Sequence, residues 1–168
     1  MTLSIVAAMN PTPDGKPAAE SRSTPNEIRR YMARLSGPLL DRIDLHVEVS
    51  AVKVPALANA AEGEPSAAVR ARVEAACDRQ RHRFQRHRSV RYNGQMGTRE
   101  IRHACPLDSH SQEILNLAVG DMLLSARAYH RILKVARTIA DLDASDAIRE
   151  NHLTEAIQYR SLDRQLWG

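Results

Sequence analysis

The sequence predicts a mostly α-helical protein with a small α/β portion near its start. Three observations carry this. Among the 168 residues 24 are Ala, and Arg, Leu and Glu are also common, while aromatics make up only 4%; the former favour helix and the latter favour strand. Three stretches after residue 108 place apolar side chains at helical spacing. Two short apolar stretches before residue 50, around Ile5 and around Val47, read instead as strands.

Taken in order, Leu3, Ile5, Val6, Ala7, Ala8 and Met9 form an apolar run that reads as a buried strand and stops at Asn10-Pro11. Pro11, Pro13, Gly15 and Pro17 break the chain into a loop. Thr24 can cap a helix, Pro25 suits its first position and Glu27 completes a capping box. Ile28, Tyr31, Met32 and Leu35 then share one face, and Ser36-Gly37-Pro38 ends the helix. From Leu45 to Val49 apolar and polar residues alternate, which predicts a half-buried strand with Leu45, Val47 and Val49 inward. Residues 51–65, with Pro55, Gly63 and Pro65, read as a linker, so residues 1–50 and 66–168 form the two expected domains.

The second domain begins with a long helix from Ser66 to about Arg88, with Val69, Val73 and Ala76 on one face. Residues 92–107 read as a loop around Asn93-Gly94 and Gly97. Asp108 caps a helix bearing Ile114, Leu115 and Ala118. Ser125 caps another bearing Ile132, Leu133, Val135, Ala136, Ile139 and Ala140. A last helix spans roughly Glu150 to Leu162, with Leu153, Ala156 and Ile157 inward. Three such helices with short connections make a small bundle.

Composition narrows the classes. Cys77 and Cys105 are the only cysteines, which excludes a disulfide scaffold and fits a reducing compartment. There is no run of 18 apolar residues, and Met1 to Asn10 carries no basic, cleavable leader pattern; the expectation is a cytoplasmic protein with no membrane partner. His103-x-Cys105 with Cys77, His82 and His87 matches no common metal-ligand spacing, so no metal site is expected there.

The formal net charge is +4, and it is concentrated: residues 69–91 hold eight arginines and two acids. Arg70, Arg72, Arg79, Arg81, Arg83, Arg86, Arg88 and Arg91 are distributed around the helix. Two readings stand side by side. The segment is a solvated linker helix that pairs with acidic surfaces, or its arginines contact a DNA backbone in a salt-dependent, sequence-independent way, with Arg79, Arg81, Arg83, Arg86 and Arg88 as the candidates.

Three further residues are candidates by position. Asn10 is an amide at the C-terminal end of an apolar strand, the edge where open α/β sheets bind ligands; it is equally a turn residue before proline. Arg42 lies between Asp41 and Asp44, either in a surface ion pair or presented to a phosphate. Arg127 falls in the first turn of the helix after Ser125, where a cation opposes the helix dipole and an external anion would offset it.

Several blocks together carry a resemblance. Ala7-Ala8-Met9-Asn10-Pro11, Ser36-Gly37-Pro38-Leu39-Leu40-Asp41-Arg42-Ile43-Asp44-Leu45-His46, Leu124-Ser125-Ala126-Arg127-Ala128-Tyr129-His130-Arg131, Val135-Ala136-Arg137-Thr138-Ile139-Ala140-Asp141-Leu142 and Ala156-Ile157-Gln158-Tyr159-Arg160 occur in order across nearly the whole chain. With them the chain resembles the magnesium-chelatase-like AAA+ ATPases of the YifB/ComM type. The resemblance implies the end of an AAA+ core over residues 1–50, followed by a helical lid domain. It implies Asn10 as the sensor-1 residue that helps place the attacking water, Arg42 as an arginine finger reaching a neighbouring subunit, and Arg127 as the sensor-2 arginine. It further implies ATP and Mg²⁺ in the full-length subunit, a hexameric ring of copies, and DNA remodelling akin to branch migration in natural transformation.

Two departures qualify what is implied. The chain has no Gly-x-x-x-x-Gly-Lys-Ser/Thr motif, since Gly15-Lys16 is followed by Pro17, and no apolar strand ending in Asp-Glu. It therefore looks like the C-terminal part of an ATPase and is expected to bind no cofactor and hydrolyse no ATP by itself. Second, where many members of the family place four cysteines, this chain has Thr12, Asp14, Ser21 and Ser23, so no zinc is expected. The alternative is a stand-alone, non-enzymatic helical module that binds DNA or a partner AAA+ ring.

Overall fold

A computed structural model describes residues 5–49 and 63–160. The chain divides into two compact units, residues 1–42 and residues 43–168.

In the first unit, α1 (Pro25–Met32) forms where the sequence places it. The Thr24 hydroxyl accepts from the Glu27 N–H, and the Glu27 carboxylate accepts from the Thr24 N–H at 2.7 Å. Ile28, Tyr31, Met32 and Leu35 are half-buried on a shared face. The helix stops at Met32, with Ala33 as its C-cap, earlier than the expected end at Ser36-Gly37-Pro38, which instead opens a single further turn, α2 (Gly37–Leu40), that buries Leu40.

The expected strands are corrected by the structure, because no strand forms among the described residues. Ile5 and Val6 are 80% and 97% exposed; an apolar run cannot make a ladder without a neighbouring strand to pair its N–H and C=O groups. The segment after Arg42 also departs from the expectation. Leu45, Val47 and Val49 are exposed, and it is His46 that is buried. The reason lies in its partner. The His46 N–H donates to the Tyr159 carbonyl at 2.9 Å, Arg160 donates to the Ile43 carbonyl, and Asp44 pairs with Arg131. A helix end supplies isolated acceptors and donors rather than a ladder, so period-2 alternation is not enforced.

The second unit is built from α3 (Ser66–Arg83), a 3₁₀ turn (Asn93–Gln95), α4 (Thr98–Ala104), α5 (Ser109–Asp121), α6 (Ala126–Leu142) and α7 (Glu150–Gln158). Asp108 and Ser125 cap α5 and α6 through side-chain bonds from Ser111 N–H and Ala128 N–H. α6 is the central element and touches α3, α4, α7 and the 3₁₀ turn, while α5 packs on α7. Ile132, Leu133, Ala136 and Ala140 of α6 meet Leu115, Leu153, Ala156, Phe84, Met96 and Ile101 in one core. α4 stands inside what the sequence suggests is loop. Its seven residues hold because Ile101 is buried in this core and Glu100 accepts from the Gly97 N–H. The long helix ends at Arg83 rather than Arg88, and its first ten residues are exposed, Val69 and Val73 included; only Ala76 of the expected apolar face is buried. No helix among the described residues is long and apolar enough to cross a membrane.

The core also holds a charged cluster. Asp141, with a fully buried side chain, receives two bonds from Arg83, at 2.7 and 2.5 Å, and one from the Asn93 amide at 2.8 Å. Arg137, 2% exposed, lies 3.2 Å from the same carboxylate and donates to the Ser145 and Asp146 carbonyls. Burial lowers the Arg137 guanidinium from its usual range and the Asp141 charge opposes this, while the hydrogen bond to Asp141 raises Arg83. Removing one member of a buried pair leaves an uncompensated charge. Asp141→Ala should therefore cost about 3–5 kcal/mol in urea unfolding. Arg81→Ala, whose partner Asp78 is exposed on the same helix, should leave the midpoint unchanged.

Candidate functional site

The loop after Asn10 is organised around one carboxylate. The Thr12 and Ser21 hydroxyls donate to Asp14 Oδ1 at 2.7 Å each, and the Arg22 N–H donates to Oδ2 at 2.9 Å. The Ser23 N–H donates to the Ser21 hydroxyl. These four residues occupy the positions where the resemblance puts cysteines, and they already satisfy one another. Hydroxyls and one carboxylate committed in this way make a poor zinc donor set, so the residues present do not fit that metal. The backbone bond from Arg22, then the hydroxyls of Thr12 and Ser21, hold the Asp14 carboxyl well below its usual range. Gly15 closes the turn at φ +77°, a conformation that disfavours any Cβ; a Cβ there would also lie 3.5 Å from the Asn10 amide nitrogen. Asn10 is thus exposed at the mouth of a rigid turn.

Arg42 is exposed at the end of the first unit, and one guanidinium nitrogen donates to the Pro38 carbonyl at 2.8 Å. This bond holds the side chain back along the single turn of α2. Arg127 belongs to the second unit and is exposed in the first turn of α6. The Ser125 cap fixes that turn, so the backbone under Arg127 is regular helix.

The arginines of the basic segment separate into two groups. Arg79 donates to Asp146 at 3.0 Å and to the Ala144 carbonyl, Arg81 pairs with Asp78, and Arg83 lies in the buried cluster with Asp141. Arg72 pairs with Glu64 at 2.8 Å. Arg86 and Arg88 lie beyond the helix end, are exposed, and make no side-chain bond or ion pair among the described residues. Helical position alone does not distinguish these groups, because the partners Asp141 and Asp146 are about sixty residues away in sequence.

Sequence reasoning placed Arg137 and Asp141 only within a family block. Their spacing of four on α6, beside the apolar positions 133, 136 and 140, is the signal that marks them as an internal pair.

Comparison with known proteins adds the family. Residues 63–160 match the family model described as magnesium chelatase, subunit ChlI C-terminal, and residues 1–57 match magnesium chelatase, subunit ChlI. The chain belongs to this magnesium-chelatase-like family and corresponds to its C-terminal part. It is 42% identical over 164 residues to the competence protein ComM of Haemophilus influenzae and 44% identical to the uncharacterized protein YifB of Escherichia coli. Each alignment covers 96% of this chain but 31% of the relative. A Mycobacterium bovis protein is 34% identical over 79% of the chain. The chain thus spans a little under a third of the length of its curated relatives.

The loop geometry yields a pH test. The folded Asp14 carboxyl lies below its unfolded value of about 3.9, so its bonds favour the folded loop at every pH above that value. The contribution is lost as pH falls further, through the folded value. The Arg22 amide resonance should therefore stay fixed from neutral pH down to the ordinary carboxylate range and move only in stronger acid. A midpoint at the unfolded value would mean that these bonds are not formed.

Proposed function

We propose that this chain is the C-terminal part of an ATP-driven ring motor acting on DNA in the cytoplasm, carrying nucleotide-sensing and inter-subunit residues rather than the phosphate cradle. The observation that carries this reading is Arg127. Its guanidinium is exposed in the first turn of α6, where the helix dipole disfavours a cation and an anion is welcome. The helix dipole and the Arg127 charge together favour a nucleotide phosphate at that helix end. Arg42, exposed at the end of the first unit, is the residue this reading assigns to a nucleotide held by a neighbouring copy. Asn10, exposed beside the turn at Gly15, is suited to orient a water. The kinship with a protein named for competence supports DNA as the polymer acted on, with Arg86 and Arg88 as backbone contacts, and branch migration in a hexamer as the form of work.

ATP and Mg²⁺ enter this reading only with the full-length subunit. No residue of this chain supplies the Gly-Lys-Ser/Thr cradle or the Asp-Glu pair, so no chemical step is derived through either ligand here. The isolated chain should show no turnover. A second reading, a non-enzymatic module, is favoured by the self-contained core of the second unit.

A chimera separates the two. The corresponding third of the Haemophilus ComM protein is replaced by this chain, and ATP hydrolysis is measured. An arginine finger contributes about 10³–10⁵ in kcat, so Arg42→Ala should abolish most turnover with little change in nucleotide affinity. Turnover that is indifferent to both Arg42→Ala and Arg127→Ala would sink the motor reading and leave the module.

A further inference from the structure

The positive surface that remains after the internal pairs are formed is not the arginine helix itself. It lies where α3 ends and α4 begins. Between residues 86 and 103 the chain carries Arg86, Arg88, Arg91, Arg99 and Arg102 against one acid, Glu100. All five arginines are exposed and make no side-chain bond or ion pair among the described residues. This contrasts with Arg72, Arg79, Arg81 and Arg83, each of which is held by a carboxylate.

The two arms of this surface meet at a cleft of about 390 Å³. One wall is the end of α3 and the turn after it, with Arg83, Phe84 and His87, and the other is α4, with Arg99, Glu100 and His103. Arg99, Arg102 and His103 lie three and four residues apart and so occupy neighbouring positions on α4. The His103 Nδ1 sits 2.8 Å from the Arg99 carbonyl. The one acid is held in place: Glu100 accepts from the Gly97 N–H at 2.9 Å and lies 4.0 Å from His87. Phe84, with His87 edge-on to its ring at 5.7 Å, gives the cleft an apolar floor. Arg99 lines the cleft, Arg102 follows it by three residues on α4, and Arg86 and Arg88 flank the lining residue His87 in the chain; spaced guanidinium groups of this kind suit a ligand that carries several negative charges, and guanidinium binds phosphate bidentately.

We infer that this α3–α4 cleft, with the exposed arginines next to it in the chain, is a binding site for a polynucleotide backbone, contacted by Arg99 and Arg102 of α4 and by Arg86 and Arg88 of the segment after α3. The inference rests on the nucleic-acid part of the proposed function and deepens it. It moves the contact away from Arg79, Arg81 and Arg83, whose guanidiniums are occupied. The site grips phosphates and reads no bases, since no side chain of the cleft is arranged for base edges.

The test is the salt dependence of binding of a labelled single-stranded oligonucleotide by the full chain. For single strands log K falls with log salt by about 0.7 for each phosphate neutralised. Arg99→Gln with Arg102→Gln should flatten the slope by about 1 to 1.5 and weaken binding at low salt. Arg72→Gln, already paired with Glu64, should leave the slope unchanged. If the double variant melts early, Arg99→Lys with Arg102→Lys keeps the charge and should retain the slope. A slope that falls with Arg86→Gln and Arg88→Gln but not with the α4 pair would overturn the cleft while leaving nucleic-acid binding intact. No oligonucleotide binding by the unaltered chain at low salt would overturn both. Capture of polyglutamate in preference to the oligonucleotide would assign the cleft to an acidic protein and equally overturn it.

Discussion

The helical unit depends on one buried carboxylate. Asp141 sits in the middle of the core with no exposure and is held by Arg83 from α3, Arg137 from its own helix and Asn93 from the 3₁₀ turn. Two cations on one anion leave an excess of positive charge. The carbonyls of Ser145 and Asp146 take it up by accepting from Arg137. Those carbonyls are available because Ala144 adopts a left-handed backbone at φ 52° and turns the chain after α6. Each partner is therefore required by another, and a half-satisfied network of this kind is worse than an apolar core.

This constraint reaches the candidate sites. It fixes the end of α3, and with it the direction in which the chain leaves toward Arg86 and Arg88. It also fixes Asn93, whose N–H donates to the Gln80 side chain at 2.9 Å, and so the approach to α4. The buried ion cluster acts on the cleft walls together with the approach of His87 to Glu100 across the cleft and the shared burial of Phe84 and Ile101. At the other end of α6, Arg127 stands on a turn held by the Ser125 cap and by the burial of Ala128. One helix thus carries a rigid internal clamp and an exposed cation at its start.

The first unit is ordered by different means. Among its described residues only Thr12 and Leu40 are buried. Its loop is held by hydrogen bonds to Asp14. A carboxylate surrounded by hydroxyls and an N–H closes this loop, because three donors converge on two oxygens. The exposed apolar side chains of Ile5 and Val6 follow from the same economy of contacts, since nothing described pairs with them.

Local chemistry by itself determined the elements whose stability is local. The Thr24–Glu27 capping box, the Asp108 and Ser125 caps, and the apolar stripes of α5, α6 and α7 were legible because each depends on residues three or four apart. The family was legible for a related reason, since its blocks are contiguous. Tertiary structure decided the rest. Whether Ile5 or Val47 lies in a strand depends on a partner that pattern cannot supply. That α4 is helix depends on the burial of Ile101. Which arginines face solvent depends on Asp141 and Asp146, brought beside α3 from far along the chain. Periodicity reports the face a residue shares with its near neighbours; it does not report which distant charge will meet it there.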